Sequence, residues 1–137
     1  MMKNQEKIIE KITPKDIART NAKFKLWDDS LASNSSFALN LFSDPTIWAY
    51  ANLRDNEGHP LHLWPYQDLM INDRNRFIQV VASNQIGKSW TICVKALHHA
   101  SFADNAMVII ISKSESQAIH ILDEIKGYFE NLNFLEE

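Results

Sequence analysis

Two short apolar runs, Phe77–Ala82 and Ala106–Ile111, constrain this chain more than any other feature. Both are partly β-branched and carry no alternating polar residue, the pattern of strands buried on two faces. Each leads into a stretch with helical spacing, Lys88–Ala100 after the first and 114–131 after the second, where Ala118, Ile121, Leu122, Ile125 and Phe129 recur at helical intervals. Strand, helix, strand, helix in that order predicts an α/β domain built on a parallel sheet.

The junction between the first run and its helix carries the clearest chemistry. Ala82-Ser83-Asn84-Gln85-Ile86-Gly87-Lys88-Ser89 matches the P-loop pattern G-x-x-x-x-G-K-[ST] except at its first position, where Ala82 is another small residue. Such a loop aims successive backbone N–H groups at phosphate oxygens, and the helix at its end adds a positive dipole. Gly87 permits close backbone approach, Lys88 supplies charge toward the β- and γ-phosphates, and Ser89 offers a hydroxyl to Mg²⁺. The expected ligand is therefore ATP with Mg²⁺, and Lys88 is the candidate catalytic residue. Hydrolysis needs more: an acid ending another strand to hold Mg²⁺, with a carboxylate to orient water. Ile111 is followed by Ser112-Lys113, and Phe134-Leu135-Glu136-Glu137 has too short an apolar lead. The expectation is nucleotide binding with little or no turnover.

Upstream of residue 75 the chain reads as mostly helical. Residues 1–35 form a basic helical leader, with seven Lys/Arg against three Asp/Glu over the first 25 positions, although the whole chain carries a net charge of −3. Lys3, Lys7, Lys11, Lys15, Arg19 and Lys23 recur every fourth residue, interrupted by Pro14, and read as a solvated face. Thr13-Pro14-Lys15-Asp16 and Asp44-Pro45 are helix starts, each an N-cap followed by proline at the first helical position. The first of these helices is expected to stop near Asp28-Asp29, with Ser30–Ser36 a linker. Residues 36–74 form a helical lead-in, with a turn at 56–60 and a helix opening at Pro65 that turns Tyr66, Leu69 and Met70 inward. Residues 75–137 begin the P-loop domain.

Composition closes off other classes. One cysteine, Cys93, excludes an internal disulfide and a zinc cluster, and its apolar setting reads as a small buried residue on a helix. The five histidines show no metal-ligand spacing with carboxylates. Arg74 and Arg76 are expected to solvate a sheet edge. No apolar run approaches membrane-spanning length, so an intracellular protein without membrane contact is expected.

Trp64-Pro65-Tyr66-Gln67, the motif at 82–89, and a second run leading into Ile111-Ser112-Lys113-Ser114-Glu115-Ser116-Gln117-Ala118 together resemble the ATPase half of the large terminase subunit of tailed bacteriophages. The resemblance covers about residues 44–130. It implies an incomplete RecA/ASCE-like P-loop NTPase sheet, part of an ATP-driven motor that packs double-stranded DNA in the cytoplasm of a bacterial host, with the small terminase subunit and the portal protein as partners. By position, Gln67 is expected to recognise the adenine edge and Tyr66 to pack beside the base. Asn84 stands where many relatives carry an arginine proposed to act on the γ-phosphate, and an amide cannot supply that charge. A helicase-like P-loop translocase shares the order of glutamine then P-loop. A non-catalytic prophage remnant or assembly module is the other reading.

Overall fold

A computed structural model describes residues 11–33, 40–55, 57–81 and 87–130. Five α-helices occur among them: α1 (Pro14–Ser33), α2 (Pro45–Asn52), α3 (Pro65–Asn72), α4 (Lys88–Phe102) and α5 (Glu115–Glu130), with a 3₁₀ turn at Leu41–Ser43 leading into α2.

The helix starts obey local chemistry. The Thr13 amide and hydroxyl both donate to the Asp16 carboxylate at 2.8 Å, closing a capping box around Pro14. Asp44 accepts from the Thr46 amide at 2.9 Å and caps α2. Between α2 and α3 the Asp55 carboxylate accepts from the amides of Glu57 and His59, and Gly58 takes a left-handed φ of 83°. That turn lets Arg54 bridge to Pro60 in antiparallel fashion. α1 continues past Asp29 to Ser33, because Ser30 folds its hydroxyl onto the Trp27 carbonyl at 2.7 Å and is buried there instead of opening a linker.

The hydrophobic core joins α2, the segment after it, α3 and α4. Trp48, Ala49, Leu53, Leu61, Leu63, Ile71, Val94 and Leu97 form it, and Trp90, Ile125 and Tyr128 pack against it from the α4–α5 side. In α3 the buried face is Gln67, Asp68 and Ile71, while Tyr66, Leu69 and Met70 are only half-buried.

Among the described residues the expected parallel sheet is not formed. Among the described residues there is no strand, and the fold is helical. The segments 77–81 and 106–111 run without a partner ladder, and their side chains are largely exposed: Phe77 is 82% exposed, Val81 87% and Ile111 89%. A continuous apolar run specifies desolvation but not the partner that must satisfy its backbone N–H and C=O groups. Here the two runs lie against different neighbours of α4. Ile78 and Val80 line a hollow with Met70, Ile71 and Lys95, whereas Val108–Ile111 line another with Cys93, Ala96, Ile121 and Ile125. Arg76 has no sheet edge to solvate, and its guanidinium sits 5.2 Å from the Phe77 ring centroid.

One polar group docks the N-terminal helices. Asp68 on α3 is 1% exposed and receives bonds from Thr20 and Lys23 of α1 at 2.9 and 2.7 Å, from Thr46 of α2 at 2.6 Å, and from Asn72 at 2.9 Å. Burial by itself raises its pKa, but the Lys23 ammonium and the two hydroxyl donors outweigh it and hold the carboxyl below its ordinary value. Asp68→Asn removes the charge yet leaves the donors in place, and is expected to destabilise the chain by roughly 3 kcal/mol. Since the folded pKa lies below the unfolded value of about 3.9, this contribution is complete above that pH and is lost as pH falls through the folded value. Urea denaturation of both proteins should therefore show their stabilities converging from about pH 4 downward.

Candidate functional site at the start of α4

Gly87 opens α4 with φ 85° and ψ 22°, a left-handed conformation that a side chain would strain. A Cβ placed on it would lie 3.0 Å from Gln67 Nε2 and 3.8 Å from the Tyr66 hydroxyl, so the glycine also admits a close approach from α3. Three of the residues singled out in the sequence, Tyr66, Gln67 and Gly87, thus converge in space, with Lys88 and Ser89 immediately following on the first turn. Lys88 is half-buried and Ser89 exposed. Ala82, Ser83, Asn84, Gln85 and Ile86 lie outside the described residues.

Gln67 is 4% exposed and bonded at both ends of its amide. Its Oε1 accepts from the Trp64 amide at 2.9 Å, half of a capping box at the start of α3, since the Trp64 indole cannot accept in return. Its Nε2 donates to Thr91 Oγ1 at 3.0 Å, and that hydroxyl donates to the Gly87 carbonyl at 2.7 Å. Thr91 is 1% exposed. Sequence reading missed it, although a hydroxyl residue four positions after the loop glycine is placed to bond back to that glycine's carbonyl.

The electrostatics around the junction favour an anion in front of it. Gly87 has no side chain with which to cap α4, and the first turn holds no acidic residue. Lys95, further along α4, donates to the carbonyls of Met70 and Asp73 at 3.2 and 2.7 Å and so secures the end of α3 to α4. Burial lowers its pKa.

Other titratable groups serve packing. Cys93 is fully buried as expected, its thiol pushed up to about 11 by burial and then by Glu124. His98 is held against the Phe42 carbonyl at 2.8 Å and edge-on to Trp48, and burial lowers its pKa. No group of three or more His, Cys, Asp or Glu among the described residues could hold a metal ion. No helix among them is long and apolar enough to cross a membrane.

Comparison with known families gives a match over part of the chain. Residues 80–134, which contain Gly87, Lys88, Ser89 and Thr91, match the family described as terminase large subunit, T4likevirus-type, N-terminal. That match supports the resemblance to phage large terminase subunits read over about residues 44–130. No curated protein and no solved structure matches the chain.

Gly87→Ala is expected to destabilise the chain by about 1–2 kcal/mol through its left-handed backbone alone. The methyl group must also displace the Gln67 amide 3.0 Å away, so the loss measured by thermal or urea denaturation should exceed that of Gly58→Ala, where φ is 83° but nothing lies within 4 Å.

Proposed function

We propose that this chain is the ATP-binding N-terminal portion of a phage terminase large subunit, the ATP-driven motor that packs double-stranded DNA. The observation that carries the reading is the left-handed Gly87 at the head of α4, followed by Lys88-Ser89 and backed by Gln67 and Tyr66, within the segment that matches the terminase family. The residues present fit such a ligand: a left-handed glycine at the head of the helix, an acid-free first turn, a lysine and an exposed hydroxyl.

In this reading Lys88 holds the β- and γ-phosphates, and Ser89 contributes its hydroxyl to Mg²⁺. By their place in the motif, Ala82, Ser83, Asn84, Gln85 and Ile86 are assigned to the phosphates, and Tyr66 and Gln67 to the adenine side. Bound Mg²⁺–ATP supplies the phosphoryl group whose hydrolysis drives packing. The chain's part is to bind and orient it. Double-stranded DNA, the small terminase subunit and the portal protein are the partners of the assembled motor, which works in the cytoplasm of the bacterial host.

Lys88→Ala is expected to weaken Mg²⁺–ATP binding at least tenfold by isothermal titration, with the helical circular dichroism unchanged. Equal affinity in the variant and the parent chain would remove the basis for a phosphate site at Lys88.

A further inference from the structure

We propose that the hollow at the far end of α4 is a separate ligand site, which takes a phosphate monoester with its phosphate on Arg74 and an aromatic group against Phe102. The inference does not rest on the nucleotide-binding reading, since His99 lies about 16 Å along the α4 axis from Lys88.

Three separate segments build the hollow. Asn40 and Ser43 come from the turn before α2, Arg74 from the segment after α3, and His98, His99 and Phe102 from the end of α4; together they border a space of about 660 Å³. Among the described residues no carboxylate lines it. Asp44 and Asp73 stand next to Ser43 and Arg74 in sequence, but both are turned to other partners. Asp44 accepts from the Thr46 amide at 2.9 Å and pairs with the Lys23 ammonium at 2.8 Å. Asp73 accepts from the backbone and side-chain amides of Asn75 at 2.9 and 2.7 Å. Arg74 is exposed, and makes no hydrogen bond or ion pair among the described residues.

This donor set suits an oxyanion. A guanidinium presents a planar fork of N–H groups that matches two phosphate oxygens, and at Arg74 the whole fork is available. The Asn40 amide adds a neutral donor, and the Ser43 hydroxyl is held only by a long 3.3 Å bond to the Asn40 carbonyl. The C-terminal end of α4 weakly opposes an anion, so the attraction has to come from the side chains, Arg74 first. Positive groups also crowd His98. Burial lowers its pKa, the Phe42 carbonyl and Asp44 act the other way, and His99 and Arg74 lower it further. An anion on Arg74 relieves that repulsion.

Phe102 calls for more than a bare phosphate. Its ring is 4.7 Å from the His98 ring and edge-on to Trp48, so it is held from behind, yet 51% of the residue stays exposed. An aromatic group seated there leaves water and gains a ring contact, neither of which inorganic phosphate can do.

The test follows the imidazole carbon–proton resonances of His98 and His99 by NMR in the full 137-residue chain, assigned with His99→Gln. Inorganic phosphate, phenyl phosphate and phenol are titrated in at constant pH and ionic strength. Both phosphates are expected to shift the two resonances, phenyl phosphate with about threefold higher affinity or more, and phenol is expected to leave them in place. Arg74→Ala should weaken both phosphates about tenfold or more while leaving Mg²⁺–ATP affinity within about twofold of the parent value. Phe102→Leu, which keeps an apolar side chain against Trp48 and removes the ring, should erase the advantage of phenyl phosphate. No shift with either phosphate, or shifts that survive Arg74→Ala, would overturn the site. Equal affinity for the two phosphates in the parent chain, or an advantage for phenyl phosphate that survives Phe102→Leu, would overturn the aromatic half of the proposal. A loss of Mg²⁺–ATP binding in Arg74→Ala would overturn the separation of the two sites, and none of the phosphate titrations bears on ATP binding at Lys88.

Discussion

The arrangement of the helices depends on the buried carboxylate of Asp68. A charge taken out of water costs several kcal/mol unless its partners replace the lost solvation. Asp68 meets that demand with hydroxyl donors from Thr20 and Thr46, the Lys23 ammonium and the Asn72 amide, drawn from three helices. Lys23 is shared with Asp44 at 2.8 Å, the residue that caps α2, so the same cation ties the hub to the start of a second helix. α1, α2 and α3 can slide past one another only by stripping the carboxylate of its donors. α3 is therefore held at a defined height and rotation.

That rotation matters because Gln67 is the residue before Asp68. One step along a helix turns the side chain by about 100°. With Asp68 fixed toward α1 and α2, Gln67 is carried round toward α4, where it reaches Thr91 and lies against Gly87. Adjacent residues on one short helix thus serve two interfaces: one organises the N-terminal helices, and the other presents α3 to the loop-to-helix junction. Lys95 adds a second tie between α3 and α4 at the far end of α3.

What the sequence disclosed divides along the same line between local and distant chemistry. The starts of α1 and α2 were legible at Thr13-Pro14 and Asp44-Pro45, because a cap and its helix lie within three residues of each other. The terminase resemblance, carried in part by Gly87-Lys88-Ser89, agrees with the family match over 80–134. The sheet was not legible, because the apolar character of Phe77–Ala82 and Ala106–Ile111 says nothing of what each run packs on. Ile78 and Val80 of the first and Val108–Ile111 of the second lie against helices, and among the described residues neither run has a strand beside it. Nor was the Asp68 hub visible. Thr20, Lys23 and Thr46 are 48, 45 and 22 residues from it, and each by itself reads as an ordinary surface residue. Thr91 escaped notice for want of any link to Gln67, 24 residues away, short of the folded structure.

The start of α4 is stabilised from within. Most helices secure their first turn with a Ser, Thr, Asp or Asn side chain at the N-cap, which accepts from the amides of that turn. α1 and α2 follow that rule; α4 has Gly87 instead, at a cost of only a few tenths of a kcal/mol relative to a side-chain cap. A capping carboxylate or hydroxyl would stand in front of the first turn, where an anion approaching the helix dipole has to be. In its place the Thr91 hydroxyl and amide both bond to the Gly87 carbonyl, at 2.7 and 3.0 Å, and Gln67 secures that hydroxyl from α3. Among the described residues the supports of the junction thus lie on its interior side, and the first turn of α4 carries neither a capping side chain nor an acid.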